Sequence, residues 1–393
     1  MTNKKILVVL CDSISPDLEN ALVCGKELRE YLEYAFNSES FLNKFFFEPR
    51  LNVSTTSSAG VLLLRSGVCI NEFDLSRIYE LIHPQICLLR ISESSYMMPS
   101  WRTTPEILGI YVPPGGFRDP DNLRKFWNGG TFNLHGLHKE FSISDCIVGE
   151  QNLSDDSYPS FFIESMTSVS EFEKRIWYSK ACQISSLGVR LSDLNATYIS
   201  GELTCGTGVE ISSNVTIEGF VNLEDGVKVG IGSILRNCRI GLNSCVHPYS
   251  IVENSTVGRN SFIGPYARIR PKSIVGDKVQ IGNYVEIKES SIGTGCRINH
   301  HSFIGNAVLG RSVTIGAGTI TCNHDGQGIH PTYIGNNSFI GSGCNLIAPL
   351  EIGEAVFVGA GSTITSNIDK EEVVIARSRQ VTIRKNNRGS KSE

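Results

Sequence analysis

The sequence predicts an α/β domain followed by a left-handed parallel β-helix of hexapeptide repeats. In the second half of the chain, branched aliphatic residues recur every six positions, and glycine often follows them, as in Ile263-Gly264 and Ile281-Gly282. The first half shows no fixed period and holds most of the 18 phenylalanines. A six-residue period suits a triangular coil, in which each flat face is a short strand and each corner turns tightly. A flat sheet would show a period of about two, and a leucine-rich repeat a period of about 20 or more.

Residues 1–165 are predicted to form the α/β domain. Short apolar runs at Gly60 to Leu64 and Gln85 to Leu89 alternate with a helix-like stretch at Leu18 to Tyr34, which is the pattern of α/β proteins. The apolar run from Ile6 to Cys11 is too short for a secretory signal peptide. It therefore predicts the first buried strand.

Residues 166–200 are predicted to form a helical arm between the two domains. Ser168 and Glu171 have the spacing of a capping box, in which each side chain accepts a hydrogen bond from the backbone N–H of the other residue. Phe172 begins an apolar stripe at helical spacing. The helix is therefore expected at about Val169 to Ala181.

Residues 201–368 are predicted to form the β-helix, with each aliphatic residue pointing to the axis. The six-residue series are Ile211, Ile217, Leu223, Val229 and Leu235; Ile263, Ile269, Val275, Ile281 and Ile287; and Ile334, Ile340, Leu346, Ile352, Val358 and Ile364. Three hexads per coil give roughly nine coils. The longest break, Thr321 to Thr332, predicts a loop extruded at a corner, a common place for function on a solenoid. Residues 369–393 are predicted to be a basic, partly disordered tail.

The composition narrows the classes of partner. The 36 basic residues nearly balance the 40 acidic ones, for a net charge of −4, so no nucleic-acid surface is expected. No segment approaches the ~20 apolar residues that a membrane span requires. The 12 cysteines include no CxxC pair. This usage predicts reduced thiols in a cytoplasmic protein, without a metal site.

Four strings between Val169 and Gln380 resemble a known family. They are Gly264-Pro-Tyr-Ala-Arg-Ile-Arg-Pro271, Gly282-Asn-Tyr-Val-Glu-Ile-Lys288, Thr314-Ile-Gly-Ala-Gly-Thr-Ile-Thr-Cys-Asn-His-Asp-Gly326 and Ile375-Ala-Arg-Ser378. In order and spacing they resemble the C-terminal half of the bacterial bifunctional enzyme GlmU, the glucosamine-1-phosphate N-acetyltransferase/N-acetylglucosamine-1-phosphate uridyltransferase. The resemblance covers just over half of the chain. It implies acetyl-CoA as co-substrate, no metal for the acetyl transfer, and a homotrimer with acetyl-CoA in the groove between neighbouring β-helices.

The resemblance also implies roles for individual residues. His300 matches the general base, Glu286 the carboxylate that helps to orient the site, and the backbone amide of Ala317 the donor to the thioester oxyanion. The residues matched to the acceptor are Arg270 and Lys288, which hold its phosphate, together with Phe303, Thr314 and Asn323. The residues matched to coenzyme A are Ala317, Ser342, Ala360 and Arg377. Without the strings, His300 and its neighbour His301 would be read as polar residues on the outside of a coil.

Four positions depart from the family pattern. The family tyrosine that contacts the phosphate is Phe303 here, and the asparagine that contacts the sugar is Thr314. The tyrosine after the loop asparagine is His324, and the basic residue expected on the loop is Ile329. A site that hydrogen-bonds its substrate discriminates through those polar groups. The acetyl-CoA end is therefore predicted to be kept, and the sugar pocket to be altered.

The first 165 residues lack the nucleotidyltransferase signature. The uridyltransferase half of the family opens with a strand and a glycine-rich loop whose backbone amides wrap a triphosphate. Here the strand is followed by Cys11-Asp-Ser-Ile-Ser-Pro-Asp17, which has no glycine and two acidic residues. Uridyltransferase activity is therefore not expected. Residues 1–165 are either a shortened nucleotidyltransferase-like domain or an unrelated α/β domain, and their role and ligand stay open.

The leading hypothesis is an acetyl-CoA-dependent N-acetyltransferase acting on glucosamine 1-phosphate. Its product, N-acetylglucosamine 1-phosphate, would feed UDP-N-acetylglucosamine and cell-envelope synthesis. Phe303 and Thr314 keep open a different amino sugar phosphate or a nucleotide-linked amino sugar as the acceptor. A third hypothesis is a β-helix that has lost turnover and serves as a scaffold or regulator.

Overall fold

The computed structural model describes residues 165–382 without a break and, before them, the strands of the N-terminal part. The chain divides into two compact units, Met1–Gly201 and Glu202–Glu393. The loop Cys11 to Asp17 and the tail from residue 383 lie outside the described residues. The expectations for them, and the predicted boundaries at 165, 200 and 368, stay predictions.

The first unit contains a mixed sheet of six strands among its described residues. In spatial order they are Ile143–Val148, Ile86–Ile91, Ile107–Val112, Gly60–Leu64, Ile6–Leu10 and Phe45–Glu48. Ile107–Val112 runs antiparallel to both of its neighbours, and the other pairs are parallel. The three apolar runs predicted as strands are therefore confirmed, and the predicted α/β class stands.

Six shorter strands complete the described N-terminal part. They are Leu22–Val23, Lys26–Glu27, Val68–Cys69, Trp127–Asn128, Thr131–Phe132 and Phe161–Phe162. The first two pair antiparallel, so the helix predicted at Leu18 to Tyr34 is wrong at this point. Gly25 stands between them in the sequence, and glycine favours the tight connection of a hairpin over a helix interior.

The helix after the sheet runs over Met166–Ser186 and begins earlier than predicted. Its capping box joins Ser165 and Ser168: the Ser168 N–H donates to Ser165 Oγ at 3.3 Å, and the Ser165 N–H donates to Ser168 Oγ at 2.9 Å. The predicted pair Ser168 and Glu171 is therefore wrong, because a serine fills the role usually taken by glutamate. The buried face is made by Ser168, Val169, Phe172, Ile176, Ala181 and Ile184, which confirms the apolar stripe. The strands Arg190–Leu191 and Thr197–Ile199 follow. No helix among the described residues is long and apolar enough to cross a membrane.

From Glu202 the chain winds as a parallel β-helix with three rows of strands, which confirms the predicted architecture. The first row is Glu210–Ile211, Lys228–Val229, Cys245–Val246, Phe262–Ile263, Gln280–Asn283, Arg297–His300, Thr314–Ile315, Phe339–Ile340, Phe357–Val358 and Val373–Val374. The second row is the first part of Val215–Leu223 and of Ile234–Ile240, then Ile251–Glu253, Arg268–Ile269, Glu286–Lys288, Phe303–Gly305, Ile320–Cys322, Asn345–Ile347 and Thr363–Ile364. The third row is Glu202–Cys205, the remaining parts of the two long strands, Thr256–Val257, Ile274–Val275, Ser291–Ile292, Ala307–Leu309, Thr332–Ile334 and Leu350–Ile352.

The interior of the β-helix is a continuous aliphatic stack. Every residue of the three predicted six-residue series is buried. The pairing register places them directly above one another, as for Val246, Ile263 and Ile281. Each buried aliphatic side chain stabilises the fold by about 1.5–3 kcal/mol. The period seen in the sequence is therefore the period of the core.

Small polar residues line the corners inside this stack. Ser261 Oγ donates to the carbonyl of Gly276 at 3.0 Å and accepts the N–H of Val279 at 3.0 Å. Cys296 occupies an equivalent position and donates to the carbonyl of Gly310 at 3.0 Å. Burial raises the pKa of the Cys296 thiol, so the thiol stays protonated. Among residues 165–382 the cysteines form no disulfide.

Candidate active site

Four of the predicted catalytic and coenzyme residues occupy one position on successive coils. Arg297 pairs with Thr314, which pairs with Phe339, which pairs with Phe357. The third residue after each of these forms an exposed series, which we name the corner column: His300, Ala317, Ser342 and Ala360. The column lies at the corner between the first and second strand rows. The fold thus brings together residues that span 60 positions of the sequence.

Backbone hydrogen bonds hold the corner column together. The Gly343 N–H donates to the Ala317 carbonyl at 2.7 Å, and the Gly361 N–H donates to the Ser342 carbonyl at 2.8 Å. Arg377 closes the top by donating from Nη1 to the Ala360 carbonyl at 2.9 Å. The Ala317 N–H donates to none of the described residues. It is therefore free to donate to a developing oxyanion.

His300 stands at the foot of the corner column and is held by Asn283. His300 Nδ1 lies 3.1 Å from Asn283 Oδ1, and the two residues are register partners on adjacent coils. With Asn283 Oδ1 as the acceptor, the imidazole proton lies on Nδ1 and the Nε2 lone pair is free. That is the arrangement a general base requires.

Glu286 contacts Arg270 in the structure. Arg270 Nη1 donates to Glu286 Oε1 at 2.7 Å, and each side chain is about one-third exposed, at 34% and 36%. The carboxylate therefore fixes the guanidinium, which keeps further N–H groups for an anion. The orienting role predicted for Glu286 stays a prediction, and the structure gives it a partner other than His300.

The remaining predicted acceptor residues fall on two faces. Lys288 lies in the second row beside Gly305, and its ammonium forms no ion pair within the described part of the chain. Phe303 also lies in the second row, in register between Glu286 and Ile320. Thr314 lies in the first row, between Arg297 and Phe339. The second row thus carries most of the predicted acceptor contacts, and Thr314 stands apart from them.

The predicted corner loop is present between Ile320–Cys322 and Thr332–Ile334 and is closed by its own polar groups. His324 and Ile329 form an antiparallel bridge. Asp325 Oδ1 accepts the N–H groups of Gly328 at 2.7 Å and Gln327 at 2.8 Å, and Asp325 Oδ2 lies 2.7 Å from Nε2 of His330. The two backbone donors, followed by His330, hold the pKa of the Asp325 carboxyl well below its usual range.

Asn323 at the base of the loop contacts a residue that the sequence analysis missed. Asn323 Nδ2 donates to Asn306 Oδ1 at 2.6 Å, and Asn306 Nδ2 donates to Glu289 Oε2 at 3.0 Å. Asn283, the partner of His300, was missed as well. Each contact joins residues 17 positions apart, about one coil. Counting one coil back from each predicted residue would have found them. No group of three His, Cys, Asp or Glu residues in the described regions is arranged to hold a metal ion.

Known proteins similar to this chain include the family that the four strings resemble. The family profile described as GMPPB C-terminal domain matches residues 197–283 and 262–328, and that of bacterial transferase hexapeptide (six repeats) matches residues 331–366. The protein named Bifunctional protein GlmU from Nitrosospira multiformis is 43% identical over 221 residues, which are 56% of this chain and 48% of the relative. Its namesake from Baumannia cicadellinicola is 42% identical over 221 residues, 56% of this chain and 47% of the relative.

The chain spans about half the length of these curated relatives. Among solved structures, an Arabidopsis UDP-N-acetylglucosamine acyltransferase is 16% identical with a TM-score of 0.41, covering 48% of this chain and 69% of that one. The C-terminal part of this chain is therefore similar to GlmU proteins, as the strings predicted.

Proposed function

We propose that the β-helix unit transfers the acetyl group of acetyl-CoA to the amine of an amino sugar phosphate, with glucosamine 1-phosphate as the acceptor. The observation that carries the proposal is the contact between Asn283 and His300, which leaves a free imidazole nitrogen at the foot of an exposed column of small residues. The 43% identity to a GlmU protein over 221 residues supports it.

The proposed reaction follows from the groups in place. The acceptor amine attacks the thioester carbonyl carbon while Nε2 of His300 takes one of its protons. The carbonyl oxygen becomes an oxyanion and accepts a hydrogen bond from the Ala317 N–H. When the carbon–sulfur bond breaks, the thiolate of coenzyme A leaves and takes the proton back from His300. Arg270 and Lys288 hold the phosphate dianion over the second row.

The coenzyme is proposed to lie along the corner column, beside Ser342 and Ala360, with Arg377 at its phosphate end. We further propose a homotrimer, in which a neighbouring β-helix forms the other wall of this groove. Sedimentation should show a trimer at assay concentration. A stable monomer with full acetyl transfer would rule out a shared groove.

A second candidate function keeps this chemistry and changes the acceptor. Phe303 lies in the second row with Lys288 and has no hydroxyl to donate. Ile329 is uncharged, so the loop carries no positive charge at that position. Because unpaired polar groups decide acceptor choice, a different amino sugar phosphate or a nucleotide-linked amino sugar is the alternative.

The test is release of free coenzyme A from acetyl-CoA with a panel of acceptors: glucosamine 1-phosphate, glucosamine 6-phosphate and UDP-glucosamine. We expect turnover with glucosamine 1-phosphate. His300→Ala should lower kcat by roughly 10²-fold or more, the scale of a lost general base, while the Kd of acetyl-CoA stays near that of the native protein. Turnover with another member of the panel alone would favour the second candidate. No turnover with any acceptor would leave the scaffold hypothesis.

A further inference from the structure

Asn323 is the last of three side chains that hydrogen-bond in series on neighbouring coils. Glu289 Oε2 accepts from Asn306 Nδ2 at 3.0 Å, and Asn306 Oδ1 accepts from Asn323 Nδ2 at 2.6 Å. All three residues are half-buried, at the corner between the second and third strand rows. The second row, with its proposed acceptor contacts, therefore lies between this series and His300.

The chemistry of the first member fixes the direction of the whole series. An ionised carboxylate only accepts, so Asn306 must turn its NH2 group to Glu289 and its carbonyl oxygen to Asn323. Asn323 must then turn its own NH2 group to Asn306. The side-chain oxygen Oδ1 of Asn323 is left over, and it accepts from no group in the described part of the chain, whereas the backbone carbonyl accepts the His330 N–H at 2.8 Å. The orientation of an amide is normally ambiguous between oxygen and nitrogen, and here Glu289 removes the ambiguity.

We propose that Glu289 and Asn306 are positioning residues that present the side-chain oxygen Oδ1 of Asn323 to an N–H or O–H donor of the acceptor sugar. The inference rests on the proposed function, since it concerns the acceptor of that same site. The carboxylate at Glu289 acts through Asn306 and Asn323 and does not touch the acceptor itself.

The test reverses the series and then restores it. Lysine only donates, so Glu289→Lys turns Asn306 around, and Asn323 follows, presenting its NH2 group to the sugar. Adding Asn306→Asp gives the introduced lysine a carboxylate partner that still accepts from Asn323, which restores the first orientation. The corner tolerates both changes: Glu289 and Asn306 have φ of 46° and 50°, and Lys272 and Lys278 adopt φ of 61° and 56° elsewhere in this β-helix. Aspartate is also among the residues that enter this region most readily.

We expect Glu289→Lys to lower kcat/KM for the acceptor roughly tenfold, the scale of one hydrogen bond between polar groups, with the KM of acetyl-CoA unchanged. The double variant should recover to within about threefold of the native value. A role that requires the Glu289 carboxylate itself predicts no such recovery, because the double variant lacks that carboxylate. If the double variant unfolds cooperatively on heating but its kcat/KM for the acceptor does not recover, the proposal is overturned.

Glu354→Lys is the matched control. Glu354 Oε1 accepts from Asn336 Nδ2 at 2.9 Å, so it forms the same asparagine–glutamate pair at another corner. Its replacement removes the same charge and pair without touching the series at Asn323. We expect no change in kcat/KM for the acceptor. A tenfold loss here would show that the effect of Glu289→Lys is one of charge alone, which would overturn the proposal.

A second measurement does not depend on turnover. In protein labelled with 15N-asparagine, the side-chain amide signal of Asn323 is assigned by its loss in Asn323→Ala. It should shift in Glu289→Lys and return in the double variant. No shift would show that the series does not orient Asn323. If the native protein transfers no acetyl group, the proposed function and the acceptor contact both fail, while these shifts still decide whether the series exists.

Discussion

The corner between the first and second strand rows is the same backbone turn in both halves of the β-helix, but different residues cover it. The two lowest coils make this turn with Asn214 and Gly232, and the four coils above them make it with Tyr249, Tyr266, Tyr284 and His301, with φ of 58°, 55°, 57° and 49°. In the upper coils the same turn is made by Gly318, Gly343 and Gly361, with φ of 72°, 69° and 73°. We name these the ring half and the open half. The change occurs one coil above His301, beside the proposed base.

In the ring half, side chains cover the corner in spite of an unfavourable backbone conformation. A residue other than glycine costs roughly 1–2 kcal/mol in this region. The rings of Tyr249, Tyr266 and Tyr284 stack at centroid distances of 5.3 and 5.5 Å, and such pairs contribute about 0.5–1.5 kcal/mol. Stacking therefore offsets much of the backbone cost.

In the open half, glycine leaves the corner bare next to Ala317, Ser342 and Ala360. The coil itself is unchanged, with the same hydrogen bonds between neighbouring corners. The comparison shows that the β-helix backbone determines where a groove can form. The residue with positive φ at each corner determines whether a side chain covers that groove.

The largest expected effect is on the free energy of unfolding, through the aliphatic core that the two halves share. Ile287 is fully buried, whereas Ile274 points outward and is 60% exposed. Ile287→Ala should lower the free energy of unfolding by about 2–5 kcal/mol through lost burial and a cavity. Ile274→Ala should change it by less than about 0.5 kcal/mol. Denaturant unfolding measures both, and equal losses would show that the inward and outward assignments are wrong.

The comparison itself is tested by closing the open half. In Gly343→Tyr the new Cβ would meet no atom nearer than the backbone of Gly361 at 4.0 Å, so the turn accommodates it as it does in the ring half. The ring should then obstruct the corner column and weaken acetyl-CoA binding roughly 10- to 100-fold, the scale of 1–3 kcal/mol of overpacking. Titration calorimetry gives the Kd.

Tyr266→Gly is the reciprocal control, because it opens the ring half without touching the corner column. We expect the Kd of acetyl-CoA to stay within a factor of about two, since no proposed coenzyme contact changes. An unaltered Kd in Gly343→Tyr would show that the coenzyme lies elsewhere.

A smaller effect distinguishes the acceptor side from the coenzyme side. Lys288→Ala should raise the KM of glucosamine 1-phosphate roughly tenfold, because one charged contact to the phosphate is lost, with little change in kcat. Phe303→Tyr should lower that KM a few-fold if the pocket lacks only a hydroxyl. Steady-state kinetics at saturating acetyl-CoA separates the two parameters. A change in the KM of acetyl-CoA alone would place Lys288 in the coenzyme groove.

The smallest effect is the response of the corner loop to pH. Since the pKa of Asp325 is depressed in the folded loop, its contacts are fully present above the usual carboxyl range and are lost only as the pH falls through the lowered value. Hydrogen exchange at Gln327 and Gly328, corrected for intrinsic rates, should therefore show constant protection from pH 7 down to about pH 4. Loss of protection between pH 6 and about pH 5 would contradict this assignment.

The sequence predicted the core better than the contacts around the site, for a physical reason. Inward positions such as Ile217 and Ile287 follow from packing, which imposes a period that is visible in one chain. Asn283 and Asn306 act through contacts from coil to coil, which have no local pattern of their own. The corner loop also interrupts the regular spacing between Asn323 and the coils above it. The start of the helix at Met166 was missed because Ser168 serves there in place of an acidic residue.

The corner column also works as a measure of length. Neighbouring strands lie about 4.8 Å apart, so the four steps from His300 through Ala317, Ser342 and Ala360 to the coil of Arg377 span about 19 Å. A molecule that reaches from the base to the guanidinium must match that distance. Insertion of a whole coil is a natural way for such a fold to grow, because a coil inserted above Ala317 could form the same kinds of hydrogen bonds and core contacts with the coils on either side. It would nevertheless move Arg377 about 4.8 Å further from His300, so in the proposed coenzyme arrangement the number of coils between these two residues would set the length of the molecule that fits.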